Sequence, residues 1–141
     1  MSEKTPRLNY FSVAMYHLTG GRAYRGGPDT PAGFLQLTTT GRKSGLQRTH
    51  HLLYIRDGAA YVVTASNGGR PANPGWYYNL QSNPRATIRA QDREMPVRAE
   101  VAVPEKRAEL WAKLLQIAPL YSGYEKRATR EIPMVLLYPE G

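Results

Sequence analysis

Between residues 34 and 101 the chain is a succession of short runs rich in β-branched residues, broken by glycine, asparagine and proline. Phe34 to Thr40 predicts a strand, closed by Thr38-Thr39-Thr40, whose branched side chains favour extended backbone. Gln47 to Arg56 predicts a second strand and Ala59 to Ala65 a third, with the hairpin signal Asp57-Gly58 between them. Two later runs alternate with a period of two. Arg85, Thr87 and Arg89 oppose Ala86, Ile88 and Ala90, and Val97, Ala99 and Val101 oppose Arg98 and Glu100. Ile132 to Tyr138 predicts a sixth strand, with Pro133 tolerated near its start or on an edge.

Helical spacing appears at three places. Asn73-Pro74 has the pattern of an N-cap followed by proline at the first helical position, opening about two turns through Trp76, Tyr77 and Leu80. Pro104-Glu105 opens a longer helix by the same logic. Its Leu110, Trp111, Leu114, Leu115 and Ala118 form one apolar stripe, and Pro119 stops it. Residues 8–18 predict a short aromatic-rich helix ending at Gly20-Gly21, and residues 26–31 a loop. The expectation is a mainly β (α+β) fold, a small six-stranded antiparallel barrel with two or three flanking helices. Residues 1–33 form an N-terminal helix and loop in this reading, and residues 34–141 the barrel.

Composition narrows this picture. At 141 residues, 41% of them hydrophobic, the chain fits one domain, burying roughly 70% of its unfolded surface. The lack of cysteine excludes disulfides, thiolate zinc sites, iron–sulfur ligation and a cysteine nucleophile. The net charge of +8, from 19 Lys+Arg against 11 Asp+Glu, speaks about partners rather than fold. Nucleic acid, an anionic membrane and a phosphate- or carboxylate-bearing small molecule all remain open on charge alone. Residues 1–6 are polar, unlike a secretory leader, and no run approaches the roughly 18 apolar residues of a membrane span. A cytoplasmic protein is therefore expected.

The densest basic feature is Gly41-Arg42-Lys43-Ser44-Gly45, followed by Arg48, at the turn between the first two strands. Glycines there let backbone N–H groups approach a ligand, Arg presents a fork suited to phosphate or carboxylate, and Lys adds a mobile charge. It is not a Walker loop, and no G-x-G-x-x-G occurs in the chain. A solvated basic hairpin would have the same composition. The second feature is Ser66-Asn67-Gly68-Gly69-Arg70, leading to Asn73-Pro74-Gly75-Trp76. A loop running into a helix N-terminus offers unpaired N–H groups to an anion or carbonyl, and equally reads as an ordinary connection. His50-His51 suggests a metal pair, but adjacent strand residues point to opposite faces. No metal site is expected, and Ser44 and Ser66 lack a nucleophile-elbow context. Tyr121 and Tyr124, three apart, would share one side of a helical turn, to orient an acceptor, supply a proton, or simply pack.

Taken in order, Leu37-Thr-Thr-Thr-Gly-Arg-Lys-Ser-Gly45, Arg48, Tyr54-Ile-Arg-Asp-Gly58, Thr64-Ala-Ser-Asn-Gly-Gly69, Asn73-Pro-Gly-Trp-Tyr-Tyr-Asn-Leu80, Asn83-Pro84 and Arg130-Glu-Ile-Pro133 carry a resemblance. The chain resembles the deazaflavin-dependent nitroreductase family, flavin/deazaflavin oxidoreductase group A of actinobacteria. The resemblance implies a split β-barrel that binds coenzyme F420, an 8-hydroxy-5-deazaflavin with an anionic phosphate and oligoglutamate tail. It implies contacts to phosphate and tail from Arg42, Lys43, Ser44 and Arg48, and a ring lined by Thr49, His50, His51 and Leu52 together with Thr64, Ala65, Ser66 and Asn67. Gly75, Trp76, Tyr77 and Asn79 match the helix motif that closes the site. Tyr121, Tyr124 and Ser66 match positions that serve the reaction. Asn67 stands where well-known relatives carry Lys, and His51 where many carry Pro.

The function implied is hydride transfer from reduced F420 to a small-molecule acceptor such as a quinone, enone or nitroaromatic, with chemistry supplied by the cofactor. The alternatives are an FMN-binding cousin on the same barrel, a basic barrel binding single-stranded nucleic acid, and a lipid or quinone carrier. FMN has no oligoglutamate for the basic turn to hold. Nucleic acid would require aromatics arrayed on an exposed strand face, whereas here they gather in helices and loops. Membrane contact through residues 8–18 is compatible with catalysis. A monomer or a homodimer is expected.

Overall fold

A computed structural model describes residues 31–140. The helix expected at residues 8–18 lies outside the described residues, as does nearly all of the loop after it. Leu35 and Leu37 are fully buried on β1 (Ala32–Thr40), while Gln36 and Thr38 beside them are partly open. The same alternation runs along β4 (Arg85–Ala90), where Ile88 and Ala90 point inward and Arg85 and Arg89 outward. With β2 (Gln47–Asp57), β3 (Ala60–Thr64), β5 (Arg93–Val101) and β6 (Met134–Pro139), they close a barrel in the order β1-β2-β3-β6-β5-β4. Every neighbouring pair is antiparallel.

The six expected strands are present with shifted ends. β5 starts at Arg93, earlier than its alternation suggests, because Arg93 to Pro96 pair with Ala90 to Thr87. Val101, on the same face as Val97, is 41% exposed at the strand's end. β6 starts at Met134 rather than Ile132, since the carbonyls of Ile132 and Pro133 accept bonds from Arg107 and from the amide of Ala65.

Two cores follow from the two faces of the sheet. Leu35, Leu37, Tyr54, Val63, Trp76, Ile88, Val97 and Leu137 fill the barrel interior. On the outside, Leu53, Ile55, Val62, Met134 and Leu136 pack beneath α2 (Pro104–Ile117) and α3 (Tyr121–Ala128) through Leu110, Trp111, Leu114 and Tyr121. α2 follows its sequence signals, with Pro104 in the first turn and Glu105 placed favourably for the helix dipole. Arg107, on its buried face, donates to the carbonyl of Ile132 (3.0 Å), pairs with Glu125 (3.2 Å) and lies over the Trp111 ring. Buried charge is tolerated here because its hydrogen bonds are met, and the side chain ties α2 to α3 and to the start of β6.

α1 (Gly75–Ser82) departs from expectation at its start. Pro74 occupies the N-cap position and makes no side-chain cap, and Asn73 lies one residue outside. The Asn73 side-chain oxygen instead accepts from Arg130. A distant arginine has won the acceptor that the local cap would have used.

Candidate active site

The barrel wall is uneven at one place, and the site lies there. β2 pairs with β1 along Gln47 to Ile55 but with β3 only from Tyr54 to Asp57. The edge of β2 before Tyr54 is thus left facing the 65–74 segment and the start of α1. Two cavities open along it, meeting at His50, Gly75 and Trp76.

The smaller, about 310 Å³, is walled by the β1–β2 turn and α1: Gly41, Arg42, Lys43, Ser44, Arg48 and Asn79. The turn is built for this shape. The Gly41 amide donates to the Leu46 carbonyl and the Gly45 amide to the Gly41 carbonyl, each at 2.8 Å, with Gly45 at φ +75°. A Cβ on Gly41 would stand 2.7 Å from the Ser44 hydroxyl and 3.2 Å from the Leu46 carbonyl, so a side chain there would force the turn to shift. The Ser44 hydroxyl accepts from the Leu46 amide. Asn79, buried on α1, holds the turn from below. Its oxygen accepts from the Arg42 amide (3.1 Å) and guanidinium (3.3 Å), and its amide donates to Thr39 Oγ1 (3.0 Å). Arg42 also lies over the exposed Tyr78 ring.

The larger cavity, about 640 Å³, is lined by His50 to Leu53, Thr64, Ser66 to Gly68, Arg70, Asn73 to Trp76, Tyr121 and Tyr124. No Asp or Glu lines either cavity. Burial pushes both histidines below their ordinary pKa, Arg48 adding to this at His50, so both are neutral near pH 7. His51 Nδ1 is buried without a hydrogen-bond partner. Burial pushes the Tyr121 phenol far up, with Tyr124 adding to it; the Tyr124 phenol is also raised by burial, against an opposing pull from Arg127. The two rings meet edge to face at 5.2 Å, and Tyr121 packs in turn on Trp111. Both phenols keep their protons at neutral pH and can donate hydrogen bonds.

Most of the residues singled out in the sequence therefore converge. Arg42, Lys43, Ser44, Arg48 and Asn79 border the small cavity; His51, Leu52, Thr64, Ser66, Asn67, Tyr121 and Tyr124 border the large one; His50, Gly75 and Trp76 border both. Three lie elsewhere. The Thr49 hydroxyl meets Thr38 Oγ1 at 2.8 Å on the face of β2 turned from the barrel interior. Ala65 is fully buried, and Tyr77 belongs to the barrel core with its hydroxyl accepting from Gln81. Sequence reasoning missed Leu53 as a wall of the large cavity; Gly68, Arg70, Asn73 and Pro74, which also line it, belong to the loop it singled out for an anion or carbonyl. It gave no role to Arg130, which donates to the carbonyls of Ala65, Ser66, Arg70 and Ala72 and to Asn73. The sign available was its presence in the Arg130-Glu-Ile-Pro133 stretch. Among the described residues, no three His, Cys, Asp or Glu side chains gather into a metal site. No described helix is long and apolar enough to cross a membrane.

Comparison with known proteins bears directly on this geometry. Residues 9–139 match the sequence profile of the F420H(2)-dependent quinone reductases. An F420H(2)-dependent quinone reductase of Mycobacterium tuberculosis is 40% identical over 129 residues, covering 88% of this chain and 85% of that protein. A solved F420-H2 dependent reductase superposes with a TM-score of 0.67 at 31% identity, over 74% of this chain and 92% of its own. A second solved structure, a domain-swapped dimer, superposes with a TM-score of 0.68 at 29% identity, over 90% of this chain and 95% of its own. The profile spans nearly the whole chain and the barrel is shared, so the protein belongs to the F420H(2)-dependent quinone reductase family of oxidoreductases.

Proposed function

We propose that this chain uses reduced coenzyme F420 to reduce a quinone, holding the cofactor's anionic tail in the small cavity and its ring, with the acceptor, in the large one. The observation that carries this reading is the adjacency of two unlike cavities that share His50, Gly75 and Trp76 as lining residues. One presents Arg42, Lys43 and Arg48 with no acid to neutralise them. The other is roomy, with His51 Nδ1 buried and in want of a partner. That donor set fits a ligand with a polar flat ring at one end and phosphate and carboxylates at the other. Coenzyme F420 has this form, and it accounts for the basic turn without a nucleic-acid partner.

When bound, the cofactor supplies the hydride. The protein's part is position and electrostatics. Arg42, Lys43 and Arg48 attract and fix the anionic end, with Arg42 preset by Asn79. Gly75 and Trp76, the first residues of α1, line both cavities, where the helix dipole favours negative charge. Trp76, Leu52 and Leu53 supply apolar wall that excludes water. Tyr124 holds a proton at its Oη, available to an acceptor oxygen that becomes negative on reduction. Tyr121 is buried against Trp111 and orients its neighbour.

The test is a titration of the purified protein with oxidised F420, FMN and a short single-stranded oligonucleotide, repeated with Lys43→Ala. Lys43 is exposed on the turn, so its removal leaves stability within about 0.5 kcal/mol. The expected result is saturable binding of F420, weakened by Lys43→Ala and most sensitive to salt in the wild type. Turnover of a soluble naphthoquinone should follow with the reduced cofactor. Preference for FMN would keep the barrel and change the enzyme; binding of the oligonucleotide alone would overturn the reading.

A further inference from the structure

His50 and His51 stand side by side on β2 yet face different neighbourhoods. His50 lies opposite Leu37, which fills the barrel interior, and it borders both cavities. His51 lies opposite Gln36, between Thr49 and Leu53 on the outer face, and borders only the large cavity. Its ring packs on Phe34, with centroids 5.3 Å apart and planes tilted by 53°. Phe34 in turn packs against the outer core, which contains Leu53 and Tyr121 and which Tyr124 adjoins. His51 is thereby tied to the tyrosines of the large cavity and not to the basic turn.

The two nitrogens of its ring are not equivalent. Nδ1 is buried and bonds nothing among the described residues. A buried N–H without an acceptor is rarer in proteins than a buried lone pair without a donor, so the ring carries its proton on Nε2. Nε2 has no partner among the described residues either, and unlike Nδ1 it is left accessible. Burial keeps the ring neutral near pH 7. The other ionisable side chains lining the cavity are His50, Arg70, Tyr121 and Tyr124, with no Asp or Glu to engage the imidazole. His51 therefore offers one unused donor, and Phe34 holds the ring that carries it.

We propose that His51 is a further catalytic residue, whose Nε2–H donates a hydrogen bond to the acceptor oxygen that turns negative during reduction. A quinone takes up two electrons and one proton as hydride, and one of its oxygens is then a phenolate until a second proton arrives. Tyr124 supplies that proton in the functional reading above, on which this inference rests, and recovers one from water. His51 gives a hydrogen bond and keeps its proton, because a neutral imidazole is a far weaker acid than a phenol. A donor in place before the charge develops stabilises the transition state more than the bound quinone.

The experiment crosses two variants. His51→Phe keeps a ring to pack on Phe34 and has no donor, whereas His51→Gln loses the ring and keeps an N–H donor. Each protein is titrated with oxidised F420 and its thermal unfolding is recorded. Each is then loaded with reduced F420 and mixed with a soluble naphthoquinone, and a single turnover is followed as the cofactor is reoxidised. The expected result is a rate about tenfold or more lower in His51→Phe, with unchanged F420 affinity and His51→Gln close to the wild type. A purely structural role predicts the reverse order, since the ring against Phe34 survives only in His51→Phe. A wild-type rate in His51→Phe, or a rate in His51→Gln as low as in His51→Phe, overturns the proposal. So does weaker F420 binding in His51→Phe with the rate at saturating cofactor kept, which assigns the donor to the cofactor instead. A wild type that does not bind F420 refutes the functional reading itself, before any variant is compared. Should His51→Phe fail to fold, His51→Leu, also without a donor, takes its place.

Discussion

Gly69 faces α3 closely enough that a single methyl group should report on the whole wall of the large cavity. A Cβ added there would lie 3.1 Å from Arg127 Nη1 and 3.3 Å from the Cα of Tyr124, at a backbone φ of +83°. Two other glycines serve as references. Gly58, in the β2–β3 hairpin, and Gly68 also have positive φ, +58° and +66°, but a Cβ on either would meet nothing within 4 Å. Alanine at Gly58 or Gly68 therefore bears only the left-handed backbone, which costs about 1 kcal/mol. Alanine at Gly69 carries that cost plus the overlap. The Arg127 tip can swing away, losing its bond to the Gly68 carbonyl, but the Tyr124 backbone can yield only if α3 shifts. Overpacking of this kind adds about 1–3 kcal/mol, for a total of about 2–4 kcal/mol. In a domain of this size each kcal/mol lowers Tm by about 3 °C. Thermal unfolding should then place Gly69→Ala about 6–12 °C below the wild type and Gly58→Ala about 3 °C below. Because the shift moves Tyr124, Gly69→Ala should also raise the KM for quinone, which Gly58→Ala should not. Equal Tm losses for the two variants would refute the close approach of the loop to α3, and with it this account of the cavity wall.

Three further outcomes follow from the same geometry. Asn79→Ala removes the acceptor for both Arg42 donors and the donor to buried Thr39; stability should fall by about 1–3 kcal/mol in denaturant titrations, with weaker F420 binding beside it, whereas Lys43→Ala lowers affinity alone. Tyr124→Phe leaves the ring on the cavity wall and removes the proton, so it should lower turnover more than cofactor affinity; parallel, equal losses would sink the assignment. His51 has its pKa held below the ordinary 6.5 by burial. The unfolded chain therefore takes up the proton first as pH falls, and the stability the neutral ring contributes is present above about pH 6.5 and lost as pH drops toward the folded value. Urea midpoints at pH 7.5 and 5.5 should differ less in His51→Gln than in the wild type.

The sequence by itself determined the barrel and the basic turn. The alternation of Arg85-Ala-Thr-Ile-Arg-Ala90 and the hairpin at Asp57-Gly58 are local physics, because strand facing depends on a period of two and a tight turn on residues that accept positive φ. The stripe of α2 and its opening proline were legible for the same reason. The turn Gly41-Arg42-Lys43-Ser44-Gly45 declared its charge in five consecutive residues, and the ordered motifs declared the family. What only the tertiary structure decided depends on partners far apart in the chain. The start of β5 was set by its pairing with β4, and Asn73 was taken from its cap by Arg130, fifty-seven residues away. Ala65 and Tyr77 match a cofactor motif in order, yet their side chains pack into the core, since a motif fixes sequence neighbours and not the direction each side chain takes. Asn79 shows the converse. Its place in α1 is written in the sequence, but its hold on Arg42 and Thr39 exists only because closing the barrel brings α1 against the end of β1. The adjacency of the two cavities has the same origin. β2 outruns its pairing with β3, and that mismatch between strands distant in sequence leaves the edge along which the site is built.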